Sequence, residues 1–94
     1  MDSAKLPGGV YKIIIEKKAQ KFLNRQPRNQ AKRLYDALSG LAIDPYPKGY
    51  EELKGSSGDY RIRVGNMRIL YTVEESIITV IVFTIGYRGD VYNR

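Results

Sequence analysis

Three arginines stand close together in the stretch Tyr60-Arg61-Ile62-Arg63-Val64-Gly65-Asn66-Met67-Arg68-Ile69-Leu70-Tyr71. A guanidinium is a permanently charged planar fork that grips phosphate through paired hydrogen bonds. Spacing decides whether the three act together. Gly65-Asn66, set between two alternating runs, is a two-residue hairpin signal. With those residues as the turn, Val64 pairs with Met67 and Arg63 lies opposite Arg68. Side chains alternate faces along a strand. Tyr60, Ile62, Val64, Met67, Ile69 and Tyr71 then share a core face, and Arg61, Arg63 and Arg68 share the other.

Like charges directly opposite each other destabilise a sheet by roughly 0.2–1 kcal/mol. No acidic residue is expected near that face to relieve them, since Asp59 precedes the strand and Glu74 lies at the far end. A local rule broken without compensation is where function is expected. A phosphate held between the forks would remove the repulsion. The competing reading has the arginines splay into solvent, toward Glu51 or Glu52. A register shifted by one residue would scatter the patch. Further along, Gly86 and Gly89 are expected to bracket a turn after a buried strand. That turn would bring Arg88 and Tyr92 within reach of the arginine face. Tyr92 equally suits partial packing in the core.

The elements that must position these groups can be read from periodicity. Val10 to Ile15 is β-branched and predicts a strand. Glu16 to Gln26 has helical spacing, with Ala19, Phe22 and Leu23 as its apolar stripe. Pro27 suits the first turn of a second helix, which Ala31, Leu34, Tyr35, Leu38, Leu41 and Ala42 continue. Asp44-Pro45-Tyr46-Pro47 ends it. Residues 47–58 read as a loop. Strands are predicted over Tyr60 to Val64, Met67 to Glu74 and Ile77 to Ile85, joined as an antiparallel meander. The order is β-α-α-β-β-β, an α+β domain with an α-hairpin packed on a mainly antiparallel sheet. The 94 residues suit a single domain, with Met1 to Gly9 as a loose leader.

The chain carries 16 Lys and Arg against 10 Asp and Glu, a formal charge of +6. That excess points to a polyanionic partner: nucleic acid, an acidic protein or an anionic membrane. The stretch between Tyr11 and Tyr35, mostly the predicted helix pair, holds much of it. Lys12, Lys17, Lys18, Lys21, Arg25, Arg28, Lys32 and Arg33 stand against Glu16 alone. They read either as a solvated outer face or as a surface that tracks phosphates. With neither Cys nor His, the chain has no disulfide, no thiolate metal site, and no Ser-His or Cys-His catalysis. No cofactor is expected. The longest apolar run, residues 77–85, is about half of what a membrane helix needs. Met1 to Gly9 lacks an apolar signal segment, so a cytoplasmic location away from membranes is expected.

Four motifs, in order, resemble the RelE/ParE superfamily of type II toxin–antitoxin toxins: Glu52-Leu53-Lys54-Gly55, Asp59-Tyr60-Arg61-Ile62-Arg63, Asn66-Met67-Arg68-Ile69-Leu70-Tyr71, and Ile85-Gly86-Tyr87-Arg88-Gly89-Asp90-Val91-Tyr92. The likeness spans nearly the whole chain and is more specific for the superfamily than for a branch within it. It implies a small microbial-RNase-like domain, no metal, and a cognate, RelB-like antitoxin that wraps the toxin as a hetero-oligomer. RelE-like members are ribosome-dependent endoribonucleases that cut mRNA in the ribosomal A site. ParE-like members share the fold but poison DNA gyrase.

Matched motif to motif, the RelE-like active-site positions fall on Arg61, Arg63, Arg68, Arg88 and Tyr92. Lys54 matches a basic position that contacts RNA. Lys17, Lys18, Lys21, Arg25, Arg28, Lys32 and Arg33 would face RNA or the ribosome. The implied reaction is attack of an RNA 2′-hydroxyl on its adjacent phosphate, which needs no protein nucleophile. Arg63 and Arg68 would stabilise the phosphorane-like transition state. Arg88 would assist the leaving 5′-oxygen, and Tyr92 would stack on a base, orient it or assist proton transfer. Many RelE-like enzymes have Lys where Arg61 and Arg63 stand. Arg does not readily give up its proton, which argues against a general-base role here. Two other functions fit the sequence, a ParE-like gyrase inhibitor and a non-catalytic RNA- or ribosome-binding module.

Overall fold

The computed structural model describes residues 10–55 and 58–89. The expected leader at Met1 to Gly9 lies outside the described residues. The elements are β1 (Lys12–Ile15), α1 (Lys17–Arg25), α2 (Arg28–Ile43), β2 (Glu51–Glu52), β3 (Asp59–Val64), β4 (Met67–Glu74) and β5 (Thr79–Tyr87). The sheet order is β1-β5-β4-β3-β2. β1 runs parallel to β5, and every other pair is antiparallel. This is the expected α+β arrangement with one strand more than periodicity predicts. β2 is two residues long, too short to leave an alternating pattern. It forms because residues 51–52 pair with Arg61 and Tyr60.

Both helices cover one face of the sheet. α1 buries Ala19 and Leu23, and α2 buries Leu34, Leu38, Leu41 and Ala42. These meet Ile13, Ile62, Met67, Ile69, Tyr71, Val80, Val82 and Ile85 from the strands in one core. Tyr71 is fully buried, and its hydroxyl donates to the Pro45 carbonyl at 2.6 Å. A buried phenol needs such a partner. Pro27 precedes the first turn of α2 instead of sitting in it, and its carbonyl accepts from Ala31 N at 2.9 Å.

The last strand differs most from expectation. Residues 75–77 form a short 3-10 turn, and Ile78 turns the chain in the left-handed region at φ +47°. The strand therefore begins at Thr79. Gly86 lies inside β5 and is no part of the following turn, because Arg68 pairs with it. The register between β4 and β5 also slips by one, with Leu70 opposite Thr84 and Tyr71 opposite Val82. Phe83 is the extra residue of this bulge. The slip changes the facing parity of β5, so Val80, Val82 and Ile85 all reach the helix-side core. Phe83 instead packs with Leu53 and Leu70 in a small second cluster.

A candidate active site on the arginine face

The β3–β4 hairpin has the register that its turn residues predict. Val64 pairs with Met67, and Arg63 lies opposite Arg68. Tyr60, Ile62, Val64, Met67, Ile69 and Tyr71 belong to the helix-side core or pack against it. Arg61, Arg63 and Arg68 project from the other face by strand alternation.

The three arginines have different surroundings. Arg68 is only 9% exposed, and its Nη1 donates to the Met67 carbonyl at 3.3 Å. Its neighbour across β5 is Gly86, which has no side chain to fill the space beside it. Burial lowers the Arg68 pKa first, and the charges of Arg63, Arg88 and Arg61 lower it further. Glu51 opposes that shift more weakly. Arg63 is exposed and lines a groove with Lys48, Pro47, Ala37 and Gly40 at the edge of β3 beyond β2. Arg61 is tied to Glu51, with Nη2 at 2.9 Å and Nε at 3.1 Å from Oε1. The expectation of no acidic relief is therefore wrong for Arg61. β2 carries Glu51 to it, so for Arg61 the competing reading, which turns the arginines toward Glu51 or Glu52, holds.

Arg88 joins this group. Its backbone N–H donates to the Asn66 carbonyl at 2.8 Å, which anchors the segment after β5 to the hairpin turn. Its charge acts on Arg68. Lys54 is exposed in the turn after β2 and shares a cleft with Arg61, Glu51 and Glu52. Tyr92 lies outside the described residues.

The helix cations are all exposed: Lys17, Lys18, Lys21, Arg25, Arg28, Lys32 and Arg33. They do not form one patch. Lys17, Lys18, Lys21 and Arg25 line a groove floored by Phe22 and Ile85. Lys32 is paired with Asp36 at 2.9 Å. Arg33 is the member brought to the hairpin, where its guanidinium lies against Gly65. Neither the Arg33–Gly65 approach nor the Lys48 rim has a local signal in the sequence.

Chemically, the patch is a set of cations around a largely buried Arg68, with Glu51 and Glu52 at its Arg61 and Lys54 end. It suits a group that brings or develops negative charge on several oxygens at once. No helix among the described residues is long and apolar enough to cross a membrane.

Comparisons with known proteins agree with this architecture. The profile described as ParE toxin of type II toxin-antitoxin system, parDE, matches residues 13–92. A Methanocaldococcus jannaschii protein named as toxin RelE1 is 29% identical over 87 residues, covering 89% of this chain and 97% of its own length. Toxin RelG of Mycobacterium tuberculosis is 28% identical, covering 72% of this chain and 78% of its own. The RelE chain in the RelE–RelB complex of Pyrococcus horikoshii superposes with a TM-score of 0.76 at 24% identity, over 87% of this chain and 99% of that one. Isolated Escherichia coli RelE superposes with a TM-score of 0.75 at 19% identity, over 86% and 87%. The fold, the order of its motifs and a profile match over most of the chain lead to one conclusion: this protein belongs to the ParE toxin family of type II toxin–antitoxin systems, within the RelE/ParE superfamily.

Proposed function

We propose that this toxin is a ribosome-dependent endoribonuclease that cuts mRNA through attack of a 2′-hydroxyl on the adjacent phosphate. The observation that carries the reading is the buried Arg68, crowded by Arg63, Arg88 and Arg61. A cation held out of water beside other cations is poised for an incoming anion, and the repulsion is relieved when one arrives. Arg63 and Arg68 would stabilise the phosphorane oxygens. Arg88 would neutralise the leaving 5′-oxygen. Arg61, already paired with Glu51, would act more weakly, aided by Lys54. Tyr92 would stack on or orient a base. The ribose hydroxyl is the nucleophile, in keeping with a chain that has neither Cys nor His.

No residue of the patch is a ready base. Arg holds its proton, so proton removal would fall to another group or to the ribosome. Substrate positioning by the ribosome supplies rate through orientation. The exposed cations of α1, Lys17, Lys18, Lys21 and Arg25, would contact ribosomal RNA. A RelB-type antitoxin, as in the Pyrococcus complex, is the expected protein partner. The reaction would take place in the cytoplasm.

The test is to add purified protein to a translating extract and map mRNA 5′ ends by primer extension, with Arg68→Ala alongside. New in-frame ends that need ribosomes and vanish in the variant are expected. If neither protein yields new ends, the nuclease reading fails. The matching profile is named for ParE toxins, which favours a second reading, inhibition of DNA gyrase. A supercoiling assay separates the two, since only the second predicts loss of supercoiling.

A further inference from the structure

The tip of the β3–β4 hairpin is bracketed by two arginines from other parts of the chain. On one side, Arg88 N–H holds the Asn66 carbonyl at 2.8 Å. On the other, the Arg33 guanidinium of α2 lies against Gly65. A Cβ at Gly65 would fall 2.6 Å from Nη2, 2.8 Å from Nη1 and 2.9 Å from Cζ of Arg33. The absence of a side chain there is what permits the approach. Gly65 also takes φ +62°, which the turn requires. Arg33 Nη1 donates to Gln30 Oε1 at 3.3 Å, and Gln30 Nε2 approaches Met67 Sδ at 3.9 Å. The guanidinium is thus steered toward the turn by a residue that itself leans on β4.

Arg33, Arg63, Arg68 and Arg88 have no acidic partner among the described residues. The adjacent Lys32 is paired with Asp36, and Arg33 is the α2 cation whose guanidinium lies against the hairpin turn. Arg63, Arg88 and Arg61 surround Arg68, and Arg33 stands at the hairpin tip to which the Arg88 backbone is tied, so the cations extend from the Arg68 cluster to the tip. An isolated anion would occupy only one part of such a track. A single-stranded RNA presents one phosphate per nucleotide, and so can occupy successive parts of it.

We propose that the hairpin tip is a second phosphate subsite, in which Arg33 binds the RNA phosphate next to the scissile one. The inference rests on the RNA-cleaving reading above and adds a position to it. Arg33 then sets how tightly the substrate strand is held, without touching the reacting phosphorus.

The test pairs a protein change with a chemical one. Ribosomes are programmed with an mRNA made uncleavable by a 2′-deoxynucleotide at the cut position. Toxin affinity is measured with either phosphate neighbouring that position replaced by an uncharged methylphosphonate. Wild type and Arg33→Ala are compared, and all-ribose mRNA is assayed for cleavage in parallel. At one neighbouring position, wild type should lose about tenfold in affinity, the scale of one charged hydrogen bond. Arg33→Ala should lose a similar factor with the normal phosphate and little more with the methylphosphonate. If the two losses multiply at both positions, Arg33 does not contact either phosphate and the subsite is overturned. Cleavage of all-ribose mRNA by wild type would leave the nuclease reading standing in that event. Failure to cut it sinks that reading and this inference with it.

Discussion

At the scale of single residues, the role proposed for Arg68 sets function against stability. Its charge is nearly buried, and both burial and neighbouring cations disfavour the charged form. Replacing such a group by an apolar one of similar length removes a desolvation penalty. Arg68→Met should therefore abolish cleavage while raising stability by ~1 kcal/mol, a few degrees in Tm for a domain of this size. Parallel melting curves and primer extension check both halves. A variant that loses stability would mean that Arg68 is held by favourable contacts instead of merely tolerated. The opposition of Arg63 and Arg68 was legible in the sequence because Gly65-Asn66 fixes the hairpin register. The Arg33 contact was not, because it joins a helix to a turn distant in the chain and depends on a missing side chain.

At the scale of elements, two irregular segments do the positioning. β2 holds only Glu51 and Glu52, yet it carries a carboxylate to Arg61. Two polar residues give no periodic signal, so the pairing appears only once β3 is in place. The bulge at Phe83 is hidden for a related reason. An apolar run from 77 to 85 looks the same with or without a one-residue slip, and only the core decides which residues must face it. The same run conceals the break at Ile78. A β-branched residue in the left-handed region is strained by roughly 1–2 kcal/mol, and this side chain is half exposed. Ile78→Gly should stabilise the protein by ~1 kcal/mol in urea unfolding without affecting cleavage. Destabilisation would show that the exposed isoleucine packs usefully after all.

The neighbouring Glu75 ties three connections together. It accepts from the Tyr11 hydroxyl at 2.7 Å and from the Tyr46 hydroxyl. Those two donors, Tyr46 first, hold its pKa below the usual 4.5. A depressed carboxylate stabilises the fold fully above its unfolded pKa, and the contribution disappears as pH falls through the folded value. Wild type should thus exceed Glu75→Gln in Tm at neutral pH, with the gap closing below about pH 4.5. A gap independent of pH would show that the carboxylate's charge is not what matters.

For the whole molecule, a formal charge of +6 predicts a strong salt dependence for the proposed binding to ribosomes and RNA. The logarithm of affinity should fall linearly with the logarithm of salt concentration. Removing Arg33 should reduce that slope by about 1, as expected for one phosphate contact. An unchanged slope would place the binding energy elsewhere. The α+β class, the helices and the meander were readable because their apolar periods are long. The position of β1 beside β5 was not, because its pairing crosses most of the chain. That parallel pairing brings the two halves of the domain together and lets α1 and α2 close one face, leaving the other for the arginines.

In the proposed reaction these arginines serve attack by a ribose hydroxyl. It is tested most directly on ribosomes programmed with two mRNAs that differ by one oxygen, the 2′-hydroxyl at the cut position. The all-ribose message should be cut, with a 2′,3′-cyclic phosphate on the upstream fragment, and the 2′-deoxy message should stay intact. Equal cleavage of both would mean that the nucleophile comes from elsewhere and that the ribose hydroxyl does not attack.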